Sequence, residues 1–298
     1  MRSYSRPVTV IGGMNMDIHV TADAPTYERG TSNPAGVRLA PGGVGRNIAE
    51  NLARLGVAVR LLSVAGDDLI SDRLVAETGE AGVDVAGVAR IHGQSGIYVA
   101  LLDGGGELDT AASDMAAMDG MNVDFVECCR AQIRDSAIVV ADANVPAAAL
   151  QRVVEIANEA GVPLILDPVS VAKAQRVAGL VGAAFIVTPD AAEAAVLAGA
   201  SSLETRHTVV TLGCDGARWT DRRTGMSVGI PPREVTVVDV TGAGDAFVAG
   251  LVAALHHRHE MPEALRVAVE TAAVVAGSHS CTLTPDESVE IRNRLRGE

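Results

Sequence analysis

The chain has 298 residues, 48% of them hydrophobic, which is enough to bury the core of one α/β domain with a minor appendage. Its net charge of −13 argues against non-specific nucleic-acid binding, and any polyphosphate it handles needs local positive help, for which Mg²⁺ is the natural source. The single lysine, Lys173, follows Ala172, so the Gly-Lys-Ser/Thr loop of the P-loop class is excluded.

Residues 1–7 contain no apolar signal region, and no apolar run reaches 18 residues, so the expectation is a soluble cytoplasmic protein without a membrane partner. Residues 8–13 (Val-Thr-Val-Ile-Gly-Gly) read as a first buried strand ending in glycines, without the G-x-G-x-x-G spacing of a dinucleotide fold. Asp17 follows; its carboxylate can accept two hydrogen bonds from a vicinal diol, although an isolated Asp after a strand is more often a turn residue. Residues 18–41 and 93–115 look like two excursions from the main sheet that can pair into a small sheet over a site. In the second, 96–102 reads as a strand and 103–107 as a hairpin turn.

Residues 41–56 begin with glycines that let the backbone approach a ligand. They continue as a helix with Ile48, Leu52 and Leu55 on one face, stopped by Gly56. Asn47, in the first turn, can offer a donor and an acceptor to a sugar hydroxyl. Arg46 is left between a surface ion pair and an approach to phosphates. Strands then alternate with helices at 59–64, 137–141, 163–168, 184–189 and 208–213, a pattern that implies a mostly parallel sheet covered on both faces. Ligands bind beyond the carboxyl ends of such strands, where Asp142, Asn144, Asp167, Asp190 and Gly213 lie. Asp190 and Glu193 are acids at i and i+3 on a helix start. Lys173 reads as a surface residue rather than a phosphate ligand. Cys128, Cys129, Cys214 and Cys281 show no CxxC pair or zinc spacing and read as reduced thiols.

The β-branched run 235–238 reads as a strand and the apolar run 247–255 as a buried helix, so Gly242 and Gly244 sit at a strand-to-helix turn. Backbone N–H groups there lack helical partners and suit an anion. Asp245 inside that turn makes sense as a general base beside a phosphate, the alternative being a helix-start acid favoured by the dipole. A helix over 262–277 starts at a favourable Pro and precedes the loop 278–282.

The run 239–247 (Asp-Val-Thr-Gly-Ala-Gly-Asp-Ala-Phe) resembles the C-terminal signature of the ribokinase-like (PfkB) carbohydrate kinases, and 41–56 resembles their N-terminal signature. The resemblance implies a three-layer αβα sandwich with a mostly parallel central sheet, one domain over 1–298, and a small β lid from about 14–41 and 93–115. It implies Asp245 as the catalytic base, with Gly242, Ala243 and Gly244 binding the developing charge. Asp17, Gly42, Gly43 and Asn47 would line the sugar pocket. Asp190, Thr211, Gly213 and Gly216, with Gly242 and Gly244, would bind ATP. Glu193 and Asp190 would serve Mg²⁺ through water, with Asp where the family has Asn. Asp239, Thr241 and Ser280 form a candidate K⁺ set, and the lid is the expected contact of a homodimer. The family carries a long helix where only 199–207 lies here, so either an element is lost or residues are missing from the sequence.

Stretches at 31–34, 101–107, 113–115, 139–144 and 166–170 are similar to those of bacterial pseudouridine kinases. That similarity implies ATP-dependent phosphorylation of pseudouridine at O5′. Asp17, Gly43, Asn47 and Asn144 would hold ribose, Ser32, Asn33 and Asp114 the uracil edges, and Tyr98 the base face. Another sugar or nucleoside kinase (ribose, fructose, adenosine or uridine) is the alternative. A sugar-binding regulator is disfavoured by the intact Asp245, and a nicotinamide oxidoreductase by the missing dinucleotide fingerprint.

Overall fold

Two strands without an exposed residue, Val8–Ile11 (β1) and Ile138–Asp142, lie side by side and parallel near the middle of the main sheet. Strands buried on both faces read as continuous apolar runs, as these do. The structure, a computed structural model, describes residues 5–200 and 205–297. After β1 the strands are β2 (Asn15–Ala22), β3 (Ala35–Gly42), β4 (Val59–Ala65), β5 (Asp84–Arg90), β6 (Gly96–Leu102), β7 (Leu108–Asp114), β8 (Ile138–Asp142), β9 (Leu164–Asp167), β10 (Ile186–Val187), β11 (His207–Thr211), β12 (Ala217–Asp221) and β13 (Met226–Ile230).

The main sheet runs β13-β12-β11-β10-β9-β8-β1-β4-β5. It is parallel from β11 to β5, and β12 and β13 add an antiparallel hairpin at one edge. Alternation along each strand divides the core into two layers. Val8, Val10, Leu61 and Val140 pack with Ile48, Leu52, Phe247, Leu251 and Leu265, from the helices Val44–Arg54, Ala243–His256 and Met261–Ala276. Ile11, Leu62, Val139 and Leu164 face the other way, onto Leu150, Val153 and Val177 of the helices Ala147–Ala160 and Val171–Val181. The sheet is thus covered on both faces, which makes an αβα sandwich.

β1 has β8 on one side and β4 on the other, so the chain leaves it in two directions. That reversal opens a crevice at the carboxyl ends of β1 and β8, where ligands of such folds bind. A second sheet, ordered β3-β2-β6-β7, rises from there. Its register lines up Ala40, Asp17, Tyr98 and Ser113 on one face. Leu39, Ile18, Val99 and Ala112 form a row on the opposite face, where Val37 and Leu39 are exposed.

The structure corrects several expectations. Residues 235–238 are not a strand: no neighbouring strand pairs with them, and Val238 N–H bonds instead to the Ala276 carbonyl at the end of a helix (2.8 Å). Val235 and Val237 line a cleft, and an extended run of β-branched residues without a ladder does not make a sheet. β5, β12 and β13 carry no apolar run that marks them in the sequence; the burial pattern of β5 alternates between exposed and half-buried. The segment between the helix Ala191–Gly199 and β11 includes residues 201–204, which lie outside the described residues, and the question of a lost element falls there. Among the described residues no helix is long and apolar enough to cross a membrane.

Candidate active site

Four carboxylates converge on the crevice: Asp142 and Asp167 at strand ends, Asp245 at a helix start and Asp17 near the beginning of β2. Asp142 closes β8 and is fully buried; its Oδ2 accepts from Gly13 N–H (2.9 Å) and its Oδ1 from Asn144 N–H (2.7 Å). Burial pushes its carboxyl up, and those N–H groups and Lys173 oppose the shift. Asp167 closes β9, where it accepts from Val169 N–H (2.8 Å) and from the Thr188 hydroxyl (3.2 Å). Burial holds its carboxyl well above the usual carboxylate range, and Asp245 and Glu193 add to this. Asp17, on β2, accepts from Asn15 Nδ2 (2.6 Å) and is also raised by burial. A Cβ on Gly42 would stand 2.2 Å from Asp17 Oδ2, so glycine at this position is what admits the carboxylate.

Asp245 lies in the first turn of the helix Ala243–His256. Its Oδ2 accepts a hydrogen bond from Asn47 Nδ2 at 2.8 Å. Burial pushes its carboxyl up to about 7; the Asn47 bond opposes the shift, while Asp142 and Asp17 reinforce it. Such a base is poised near neutral pH. Gly242 caps the helix with φ 80°, and its Cα face packs on the Cys281 carbonyl. Gly244 is different: a Cβ built there meets nothing within 4 Å, so its side of the turn opens onto free space. Ala243 N–H bonds to the Val240 carbonyl (3.1 Å), and the helix N-terminus at Gly244 suits an anion in that space.

The free space belongs to a cleft of about 470 Å³ that runs from Ala243 and Gly244 past Thr211, Gly213 and Gly216 to walls of Val235, Val237, Phe247, Val269 and Ala273. Val235, Val237 and Val240 are 41%, 60% and 69% exposed because they form one open wall of it. Apolar walls with phosphate-binding N–H groups at one end fit a nucleotide, base against the valines and phosphates at the helix start.

Asp190 and Glu193 form a reciprocal capping box: Asp190 Oδ1 accepts from Glu193 N–H (2.7 Å) and Glu193 Oε2 from Asp190 N–H (2.9 Å). Glu193 is only 5% exposed, and burial raises its carboxyl; it is not a solvated helix-start acid. An isolated bridge pairs Asp190 with Thr211, which joins the box to the cleft. Each carboxylate keeps one oxygen out of the box, which fits a hydrated Mg²⁺ held through water and not a dedicated protein cage. No group of three or more potential metal-ligating side chains occurs among the described residues. In the candidate K⁺ set, Asp239 Oδ1 accepts from Thr241 N–H (2.8 Å) and Ser280 Oγ accepts from Thr282 N–H (3.3 Å), so both side chains organise their own turns.

On the substrate side the structure brings Asp17, Gly42, Gly43, Asn47 and Asn144 to the crevice, and the register sets Tyr98 beside Asp17. Asn33 is placed otherwise. Its amide bonds to Glu28 N–H (2.8 Å) and the Glu28 carbonyl (2.9 Å), which closes its own loop. Asp114 pairs with Ile97 in the Met16 row, on the face away from Asp17, and caps a turn through Ala116 N–H (3.1 Å). Ser113, one residue earlier, shares the Asp17 face.

Lys173 is no surface residue. It reaches from the helix Val171–Val181 to donate to Asn144 Oδ1 at 2.5 Å, half-buried, and burial lowers its ammonium pKa against the pull of Asp142. Arg46 neither lies on the surface nor reaches for phosphate; it is buried against Glu50, Pro41, Asn47 and Thr78. The strand-end rule singles out Asp142 and Asp167 as positions but not as members of one electrostatic cluster, which needs the strand order.

A family model described as "pfkB family carbohydrate kinase" matches residues 5–288. The chain is 32% identical over 300 residues to an uncharacterized sugar kinase of Escherichia coli (strain K12), covering 95% of this chain and 82% of that one. It is 31% identical over 303 residues to the pseudouridine kinase of the same organism, covering 96% and 94%. Among solved structures it superposes on a putative sugar kinase from Clostridium perfringens with a TM-score of 0.85 at 27% identity, covering 99% and 97% of the two chains. It also matches an Arabidopsis thaliana ribokinase complexed with ribose and ATP with a TM-score of 0.79 at 20% identity, covering 97% and 99%. The chain belongs to the pfkB family of carbohydrate kinases, phosphotransferases with an alcohol group as acceptor that use ATP.

Proposed function

We propose that this pfkB-family kinase transfers the γ-phosphoryl group of ATP to the 5′-hydroxyl of pseudouridine, giving pseudouridine 5′-phosphate and ADP. The observation that carries the reading is the Asp245 carboxylate, poised near 7 and bonded to Asn47, one residue from the open side of Gly244. Asp17 accepts from the ribose diol, while Asn47 and Asn144 supply an amide donor and acceptor to the sugar. That grip holds O5′ between Asp245 and the phosphate in the cleft. Asp245 takes the O5′ proton as O5′ attacks phosphorus in line; the γ-phosphorus bond to the bridging oxygen breaks, and ADP leaves. The Gly244 N–H receives charge on the transferring phosphoryl oxygens, while the Ala243 N–H is bonded to the Val240 carbonyl (3.1 Å).

Mg²⁺ would be held through water by Asp190 and Glu193, and would neutralise phosphate charge in a site otherwise crowded with carboxylates. Similarity to a pseudouridine kinase over nearly the full length of both chains supports the nucleoside. Tyr98, in register with Asp17, is the surface on which the base rests, and Ser113 shares its face. The second sheet acts as a lid. Its outer face, with Val37 and Leu39 exposed, suits a second copy of the chain, which would make a homodimer.

A second reading, in which a different sugar or nucleoside is phosphorylated, is favoured by the similarity to a sugar kinase at 32% identity. ADP release measured across pseudouridine, uridine, adenosine, ribose and fructose separates the two.

A further inference from the structure

The phosphoryl transfer described above gives no task to Arg46, although it occupies the centre of the glycine-rich turn and is only 5% exposed. An arginine almost never enters a protein interior unless its donors are engaged, and here all three guanidinium nitrogens are. Nη2 pairs with Glu50 one helical turn on. Nε donates to the Thr78 hydroxyl of the neighbouring helix Leu69–Glu80 at 3.4 Å. Nη1 donates to the Pro41 carbonyl at 3.1 Å and to Asn47 Oδ1 at 3.1 Å. The last of these bonds touches the residue that holds Asp245.

The geometry points to Arg46 as a positioning residue for Asp245, acting through the side-chain amide of Asn47. An amide has a donor end and an acceptor end, and rotating it by half a turn exchanges them. In Asn47 the acceptor end faces two donors, Arg46 Nη1 at 3.1 Å and Cys281 Sγ at 3.8 Å, and the donor end faces Asp245 Oδ2 at 2.8 Å. The flipped amide would set its NH₂ against the guanidinium and its carbonyl against the carboxylate, which loses both charged hydrogen bonds and adds two repulsions. Arg46 therefore dictates which end of Asn47 meets Asp245. Glu50 does the same for Arg46 one step back, and Arg54 holds the far oxygen of Glu50 at 3.3 Å.

Asp245 depends on that donor because its other charged neighbours are acidic. Asp142, Asp17 and Asp167 all face it, Cys281 is the remaining titratable group alongside, and Lys173 serves Asp142 and Asp167. Arg46 also lies near enough to Asp17 to favour its ionised form. One buried cation thus supports both carboxylates on which the reaction rests.

This inference rests on Asp245 being the base, so the test measures both. Removing Arg46 alone leaves Glu50 without its closest partner, and breaking a buried pair is destabilising, whereas replacing both partners is often neutral. The informative protein is therefore the double variant Arg46→Met with Glu50→Gln, compared with Glu50→Gln alone, Arg46→Lys and Asp245→Asn. Positioning predicts a double variant that melts close to the parent, with kcat about 10- to 100-fold lower and the acid limb of kcat/KM moved roughly one unit to higher pH. Arg46→Lys, which keeps charge but loses the fork, should show a smaller loss, and Glu50→Gln alone, which leaves the buried guanidinium without its closest carboxylate, should melt below the parent and move the acid limb less than the double variant does. A merely structural arginine would lower the melting temperature and leave the pH profile of the folded fraction in place; that result overturns the inference. If Asp245→Asn is inactive and the double variant has the parental kcat and profile, Arg46 has no positioning role and the base assignment stands. If Asp245→Asn keeps its activity, both fall.

Discussion

Asn47 Nδ2 sits 2.8 Å from Asp245 Oδ2, a contact that ties together two residues 198 positions apart. It joins the first turn of the helix Val44–Arg54 to the first turn of the helix Ala243–His256, one within each of the two signature stretches. The residue that would grip the sugar and the residue that would deprotonate it are thereby held in one hydrogen bond, before any substrate arrives.

Asp245→Asn keeps the shape of the side chain and removes the base, so kcat should fall by about 10²- to 10⁴-fold. If Asp245 is the base, only its ionised form acts: with the carboxyl near 7, kcat/KM should rise through neutral pH and reach roughly a tenth of its plateau near pH 6. Stability runs the other way. The folded carboxyl binds its proton more tightly than the unfolded one, so its contribution to stability declines as pH rises from the ordinary carboxylate range towards 7. Asp245→Asn should therefore melt above the parent at pH 8, with the gain shrinking at pH 5. Melting curves at the two pH values check the sign.

Gly242 and Gly244 should separate folding from function. A methyl at Gly244 meets nothing within 4 Å, so Gly244→Ala should melt near the parent and lose turnover by crowding the phosphoryl group. Losing one such donor site costs about 2.7–4 kcal/mol in kcat, a hundredfold or more. Gly242→Ala instead places a methyl 2.2 Å from the Cys281 carbonyl at φ 80°, and its first effect should be a lower melting temperature.

Asp190→Asn keeps an N-cap of similar quality, so stability should change by less than about 0.5 kcal/mol. The exposed carboxylate oxygen is lost, and the Mg²⁺ dependence of the rate should shift while the nucleoside KM holds. A Mg²⁺ titration decides between a metal role and a cap alone.

Lys173→Met should raise the nucleoside KM about tenfold or more, since a charged hydrogen bond to Asn144 Oδ1 is removed. The ATP KM should be unchanged. Equal nucleoside KM values in the two proteins would return Lys173 to a purely structural role.

The sandwich was legible because β1, β8 and β9 are unbroken apolar runs that end in glycine or aspartate, the mark of parallel strands in a buried sheet. β12 and β13 escaped because an edge hairpin packs one face only, and Arg218 and Ser227 fall where a central strand would be apolar. The run 235–238 has strand residues but no partner strand, and composition does not say which. At the site, glycine signatures mark where the backbone bends, and these positions could be read directly. Side chains that arrive from elsewhere could not: Lys173 crosses 29 positions to reach Asn144, and Arg46 is buried only because Thr78 and Glu50 surround it. Asp114 and Ser113 differ by one residue in sequence and by a whole face in the sheet, a distinction set by pairing register.

The proposed phosphorylation of pseudouridine with ATP is tested most directly by kcat/KM for pseudouridine beside uridine, with ADP release as the readout and Asp245→Asn as the blank. Pseudouridine carries a free N1–H that uridine lacks, and if the bound site pairs that donor with an acceptor, uridine leaves the acceptor empty at a cost of about 1–3 kcal/mol. The expected preference for pseudouridine is roughly tenfold to a hundredfold. Equal values for the two nucleosides, or a higher value for ribose or fructose, would contradict it.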